Sequence, residues 1–168
     1  ANVAVNTSIE WNSSANADGY KLTVLASNST ANNVTDFDVT SGTTHTFSND
    51  FEQGETVTVT ITPYNAIGDA IGCTSESFTI KSIPTCTNLV SPANGAVDIA
   101  VDTNIEWIAI AEANGYKLTV LGSTSTANNI TNFDVTAGTS YSFTDNFEQG
   151  ETVTVTIIPY NEVGDAIG

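Results

Sequence analysis

The chain has 168 residues, of which 19 are Asp or Glu and three are Lys or Arg, for a formal net charge of −16. So negative a surface repels phosphate backbones and anionic headgroups, which argues against nucleic acid and membrane surfaces as partners. No stretch approaches the ~20 apolar residues of a membrane span, and Ala1 opens without a basic and apolar leader, so any secretory signal is expected to be removed or to lie outside the chain.

In chain order, residues 1–6 read as the tail of a first strand. Ile9 and Trp11 then share one face, with Ser8 and Glu10 on the other. SSANADG is a turn cluster, and GYKLTVLAS alternates Tyr20, Leu22 and Val24 with Lys21 and Thr23. After NSTANN, VTDFDVT is expected to set Val34, Asp36 and Asp38 on one face and Thr35, Phe37 and Val39 on the other. A strand follows in TSGTTHTFSND, EQG turns the chain, and Val57, Val59 and Ile61 alternate with Thr56, Thr58 and Thr60. Pro63 is expected to close that strand, since proline cannot donate to a central ladder. YNAIGDAIG reads as a loop, and ESFTIKS as a last strand with Phe78 and Ile80 inward. No helical period of useful length occurs, and short strands between Gly, Asn and Ser turns indicate a sandwich or barrel.

The stretch FEQGETVTVTITPYNAIGDAIG from Phe51 returns as FEQGETVTVTIIPYNEVGDAIG from Phe147, a period of 96 residues. Trp11 matches Trp107, Tyr20 matches Tyr116 and Tyr64 matches Tyr160, and about two thirds of the aligned positions are identical, which identifies the repeating unit directly. The expected organisation is repeat 1 over 1–82, a linker over 83–86 and repeat 2 over 87–168. A unit of that size buries somewhat over ~60% of its unfolded surface, a modest core. The abundance of Thr, Asn, Ser and Gly suits an extracellular β-protein.

The Trp in the second strand (Trp11, Trp107), the GYKLTV third strand and the PYN-x-x-G segment (Asn65 with Gly68, Asn161 with Gly164) resemble the fibronectin type III domains of bacterial surface proteins. The resemblance covers nearly the whole chain in two copies and implies an all-β fold of two tandem immunoglobulin-like sandwiches. The tyrosine that such domains carry at the start of the sixth strand is replaced by Val57 and Val153. By this comparison the first repeat has a truncated first strand, and the second lacks a final strand equivalent to ESFTIKS. An unpaired sheet edge in the second repeat would invite another chain.

Cys73 and Cys86 are the only cysteines. The intervening strand rises about 3.3 Å per residue, which puts its ends ~20 Å apart, against the ~6 Å Cα separation of a disulfide. The resemblance implies instead one staple per domain, pairing Cys86 with a residue just beyond Gly168 and Cys73 with one upstream of Ala1. A direct bond and free thiols are the alternatives. Either staple implies an oxidising compartment.

Candidate chemistry is sparse. His45 is the one imidazole, its matched residue is Tyr141, and it reads as a surface or edge-strand residue. The turn acids Asp50, Glu52, Asp98 and Asp102 are weak candidates for calcium, the only cofactor the composition entertains, and no calcium-loop pattern is present. Trp11, Trp107, Tyr20 and Tyr116 read as core, whereas Tyr64 and Tyr160 lie near the loop pole as candidates for ligand binding. The expected role is structural rather than enzymatic: a stalk, adhesin or filament segment at the cell surface, partnered by neighbouring copies of the same repeat or self-assembling through an open edge. A carbohydrate- or protein-binding module and an accessory region of a secreted enzyme are the competing readings.

Overall fold

A computed structural model describes residues 2–4 and 6–168, with backbone alone at Asn2 and Val3. Among these residues there is no helix, and the chain divides into two compact units, Ala1–Ser82 and Ile83–Gly168.

In unit 1 the alternating runs form long strands β3 (Gly19–Ala26) and β6 (Thr56–Asn65), paired antiparallel with Leu22 opposite Ile61 and Val24 opposite Val59. The register sends Leu22, Val24, Val57 and Val59 to one face, all buried, while the threonines of β6 take the other. Around this pair the sheet runs β1 (Asn2–Val3), β8 (Glu76–Ile80), β6, β3, β4 (Val34–Val39), with β7 (Gly68–Asp69) on the end of β6. A second, two-stranded sheet joins β2 (Ile9–Glu10) to β5 (Thr44–His45). Ile9 from the small sheet meets Tyr20, Leu22, Val39, Phe51 and Ile80 in one apolar cluster, so the core lies between the sheets in a sandwich-like arrangement. Burying each such side chain contributes roughly 1.5–3 kcal/mol.

Unit 2 repeats the pattern. Its sheets are β12 (Ile130–Val135), β11 (Gly115–Gly122), β14 (Val153–Tyr160) and β13 (Ser140–Tyr141), β10 (Ile105–Trp107), β9 (Leu89–Ser91). Ile105, Trp107, Tyr116, Leu118, Val120 and Val135 fill its core.

The two units differ at their sheet edges among the described residues: β1, β7 and β8 occur in unit 1 alone and β9 in unit 2 alone. β8 lies along β6 in unit 1, where Val57, Val59 and Phe51 are buried; the matched Val153, Val155 and Phe147 in unit 2 are only half-buried. Conversely, β9 pairs with β10 in unit 2, where Trp107 is 3% exposed, while Trp11 in unit 1 is half-buried.

Three local expectations are corrected. The strand does not close at Pro63, which sits inside β6 opposite Tyr20. The Pro63 carbonyl accepts from Ala70 N–H at 2.8 Å. In an antiparallel strand a residue's N and O point to the same side, so the missing N–H falls away from the β3 ladder and costs no bond. The alternation expected across β4 also breaks. A bulge between Leu22 and Val24 pairs Leu22 with Phe37 but Val24 with Val34, and Asp36 takes φ 51° at the irregularity. Val34 and Val39 therefore both reach the core, and Phe37 is left 44% exposed. Finally, the YNAIG segment is a tight hairpin rather than a loop: Asn65 pairs with Gly68 across two residues, and the Asn65 Oδ1 accepts from Ile67 N–H at 2.9 Å.

Candidate functional site

The polar groups with the most definite geometry form one cluster, built twice. Tyr64 stands directly opposite Gly19 across the β3–β6 pair. A Cβ on Gly19 would come 2.6 Å from Tyr64 Cζ, so the ring lies over the bare glycine backbone and occupies the space a side chain would fill. That pose delivers the phenol to Asp38, where the hydroxyl donates to Oδ1 at 2.7 Å. Beside it Lys21 Nζ donates to Asp69 Oδ2 at 2.5 Å. Unit 2 repeats each contact: Tyr160 lies opposite Gly115 and donates to Asp134 at 2.7 Å, and Lys117 reaches Asp165 at 2.5 Å. Lys117 Nζ also stands 5.8 Å from the Tyr160 ring centroid.

The electrostatics follow from these contacts. The hydrogen bond to Asp69 raises the Lys21 pKa, against a smaller opposing effect of desolvation, and Asp36 and Asp38 add to the rise. Donation to Asp38 and then desolvation raise the phenol of Tyr64, and Asp134 does the same for Tyr160. In these states the phenol and the ammonium are hydrogen-bond donors, and neither is primed as a nucleophile. Both tyrosines are half-buried, with one face of the ring on the sheet.

Acids elsewhere serve the fold. Glu55, which reads as a turn acid in the sequence, is 1% exposed. Its carboxylate accepts from the N–H groups of Glu52 (2.8 Å), Ser29 (3.2 Å) and Asn28 (3.4 Å), which pins the turn after Phe51 to the one after β3. Glu151 repeats this with Glu148, Ser125 and Thr124, and the bonds from Ser125 and Glu148 hold its carboxyl below the usual value. The signal available in the sequence was the GET triplet, kept unchanged in both repeats after a turn. Asp50, Glu52, Asp98 and Asp102 are all exposed, and no group of three or more His, Cys, Asp or Glu among the described residues is placed to hold a metal ion.

His45 packs edge-on between Phe37 and Phe47, with centroids 4.8 Å from each, and desolvation lowers its pKa. Tyr141 occupies the same slot between Phe133 and Phe143. Trp11 and Tyr20 meet edge-on at 5.5 Å, and the Tyr20 hydroxyl accepts from Ser14 N–H, tying down the turn before β3. Cys73 and Cys86 are both exposed free thiols. Cys73 lines a groove of about 740 Å³ in unit 1, together with Ile9, Trp11, Ile61, Pro63 and Phe78. Compared with known protein families and with curated proteins, the chain matches none.

Proposed function

We propose that this chain is a structural segment of a long extracellular bacterial surface protein, made of fibronectin type III-like sandwiches that space a functional tip from the cell as a stalk, adhesin shaft or filament. The observation that carries this reading is that one scaffold is built twice, each copy around its own core. Local sheets stitched by long antiparallel pairs suit a chain that carries tension. The strongly acidic surface suits a protein exposed to solvent along its length. Neighbouring copies of the repeat are the partners this reading requires. Stretching the chain between its ends at constant velocity tests it. The expected trace has two force peaks, each releasing about 30 nm of contour for a unit of this size. A single peak, or extension without peaks, would oppose it.

A second reading is favoured by one observation: the Tyr–Asp–Lys–Asp cluster is presented at matched positions in both units, which suits multivalent capture of a glycan or peptide. Tyr64→Phe with Tyr160→Phe keeps the rings over their glycines while removing both hydroxyls. Loss of retention on a glycan or peptide array in that variant supports a binding module, and unchanged retention removes it.

A further inference from the structure

We propose that Asn94–Gly95 is a site of spontaneous covalent modification, where the side-chain amide passes through a succinimide to aspartate and isoaspartate, while the fold holds the chain's other Asn–Gly pair, Asn114–Gly115, unreactive. These are the two asparagines that glycine follows. The reaction is an attack by the next residue's backbone nitrogen on the asparagine Cγ, and glycine carries no side chain to obstruct it. Asparagine is for such reasons a thermolabile residue.

Sequence treats the two pairs alike, and both asparagines are exposed. The backbone separates them. After β9, Ala96 N–H donates to Ala93 O at 3.0 Å, closing a turn whose inner residues are Asn94 and Gly95, the latter at φ 79°. Nothing stands within 4 Å of the point that a Cβ on Gly95 would occupy. Among the described residues, neither the Asn94 side chain nor the Gly95 N–H makes a hydrogen bond. One exposed turn bond holds the pair, so little stands between the Gly95 nitrogen and Cγ.

Asn114–Gly115 is pinned instead. Asn114 N–H donates to Tyr160 O at 2.7 Å, and Gly115 opens the β11–β14 ladder opposite Tyr160. The Asn114 Nδ2 donates to Glu162 Oε2 at 3.0 Å. A Cβ on Gly115 would come 2.5 Å from the Tyr160 hydroxyl oxygen and 2.7 Å from Cζ, so the phenol covers this buried glycine. Carrying the Gly115 nitrogen to Cγ would break the end of the ladder and lift the ring, so reaction there waits on local opening. The hold has a consequence. Unit 1 has Asp18 and Ala66 at the matched positions, whereas a carboxylate at Asn114 would face Glu162 as a like charge.

Water is the one co-reactant. The Gly95 nitrogen loses its proton and bonds to Cγ, the Cγ–Nδ2 bond breaks, and ammonia leaves. Water then opens the ring at either carbonyl, with no oxidation or reduction. One opening yields aspartate; the other routes the main chain through the side chain and lengthens the turn by a methylene. Both add a negative charge.

The test incubates the intact chain in mildly alkaline heavy-oxygen water, beside a sample in urea. It follows the tryptic peptide of residues 82–117, in which fragment ions separate the two sites. In the native chain, heavy-oxygen uptake at Asn94 should be about tenfold or more faster than at Asn114. In urea the two rates should converge, because the ladder that protects Asn114 is gone. Equal native rates, or faster uptake at Asn114, would overturn the proposal. So would a preference for Asn94 that survives unchanged in urea, because the fold would then not be its cause.

Discussion

Replacing Gly19 by Ala should destabilise unit 1, although strand propensity alone predicts the opposite. Exchanging an unstrained strand glycine for alanine removes conformational freedom from the unfolded chain and stabilises by roughly 0.5–1 kcal/mol. At Gly19, however, the new methyl would lie 2.6 Å from Tyr64 Cζ and 2.9 Å from Cε1, distances no real side chain sustains. The ring must leave the strand. Overpacking of this kind costs about 1–3 kcal/mol, and the Tyr64–Asp38 hydrogen bond is lost with the ring's displacement. The net expectation is a loss of roughly 1–3 kcal/mol, or on the order of 4–8 °C in Tm per kcal/mol for a domain of this size. Urea titration of Gly19→Ala, Tyr64→Ala and the double variant measures it. The double variant should be less destabilised than the two singles summed, because the methyl then occupies space the ring has left. Strict additivity, or a Gly19→Ala chain as stable as the parent, would refute the account of this pair.

Three other outcomes follow from the buried and titrating groups. Glu55→Ala should cost roughly 2–4 kcal/mol in urea titration, since it strands several backbone donors and leaves a cavity, while the same change at the more exposed Glu151 should cost less. Because Glu151 has a folded pKa below its unfolded value, its contribution is present above about pH 4.5 and is lost as pH falls through the lower folded value; Glu151→Gln should flatten that acid limb in a pH series of melting curves. His45 is likewise depressed, so unit 1 should lose a little stability as pH falls below about 6.5, and His45→Tyr, which copies Tyr141, should abolish that dependence in the same series.

Much of the scaffold is legible in the chain because alternation translates directly into faces. The Tyr20, Leu22, Val24 run and the Val57, Val59 run both sit where their period places them. Features that depend on which strand lies alongside are not legible in the same way. The role of Tyr64 follows from its register opposite Gly19, a pairing no local pattern encodes. Pro63 is tolerated because of the direction its nitrogen faces, and Asp36 disrupts alternation by adopting a backbone state that sequence spacing leaves open. Glu55 is hidden for a different reason: a carboxylate in a polar turn reads as solvated until the backbone donors around it are known. The candidate cluster is harder still, since Lys21 and Asp69 are indistinguishable in sequence from ordinary surface charge until their pairing is known.

The central claim is that one scaffold is built twice, with β8 covering the edge of β6 in the first copy and no strand on the matching edge of β14 among the described residues. Native-state amide exchange measured on the intact chain tests it most directly. Protection of β3 and β11 should agree position by position, while residues 56–59 of β6, covered by β8, should exchange far more slowly than residues 152–155 of β14. Equal protection on those two edges, or unequal protection between β3 and β11, would contradict it.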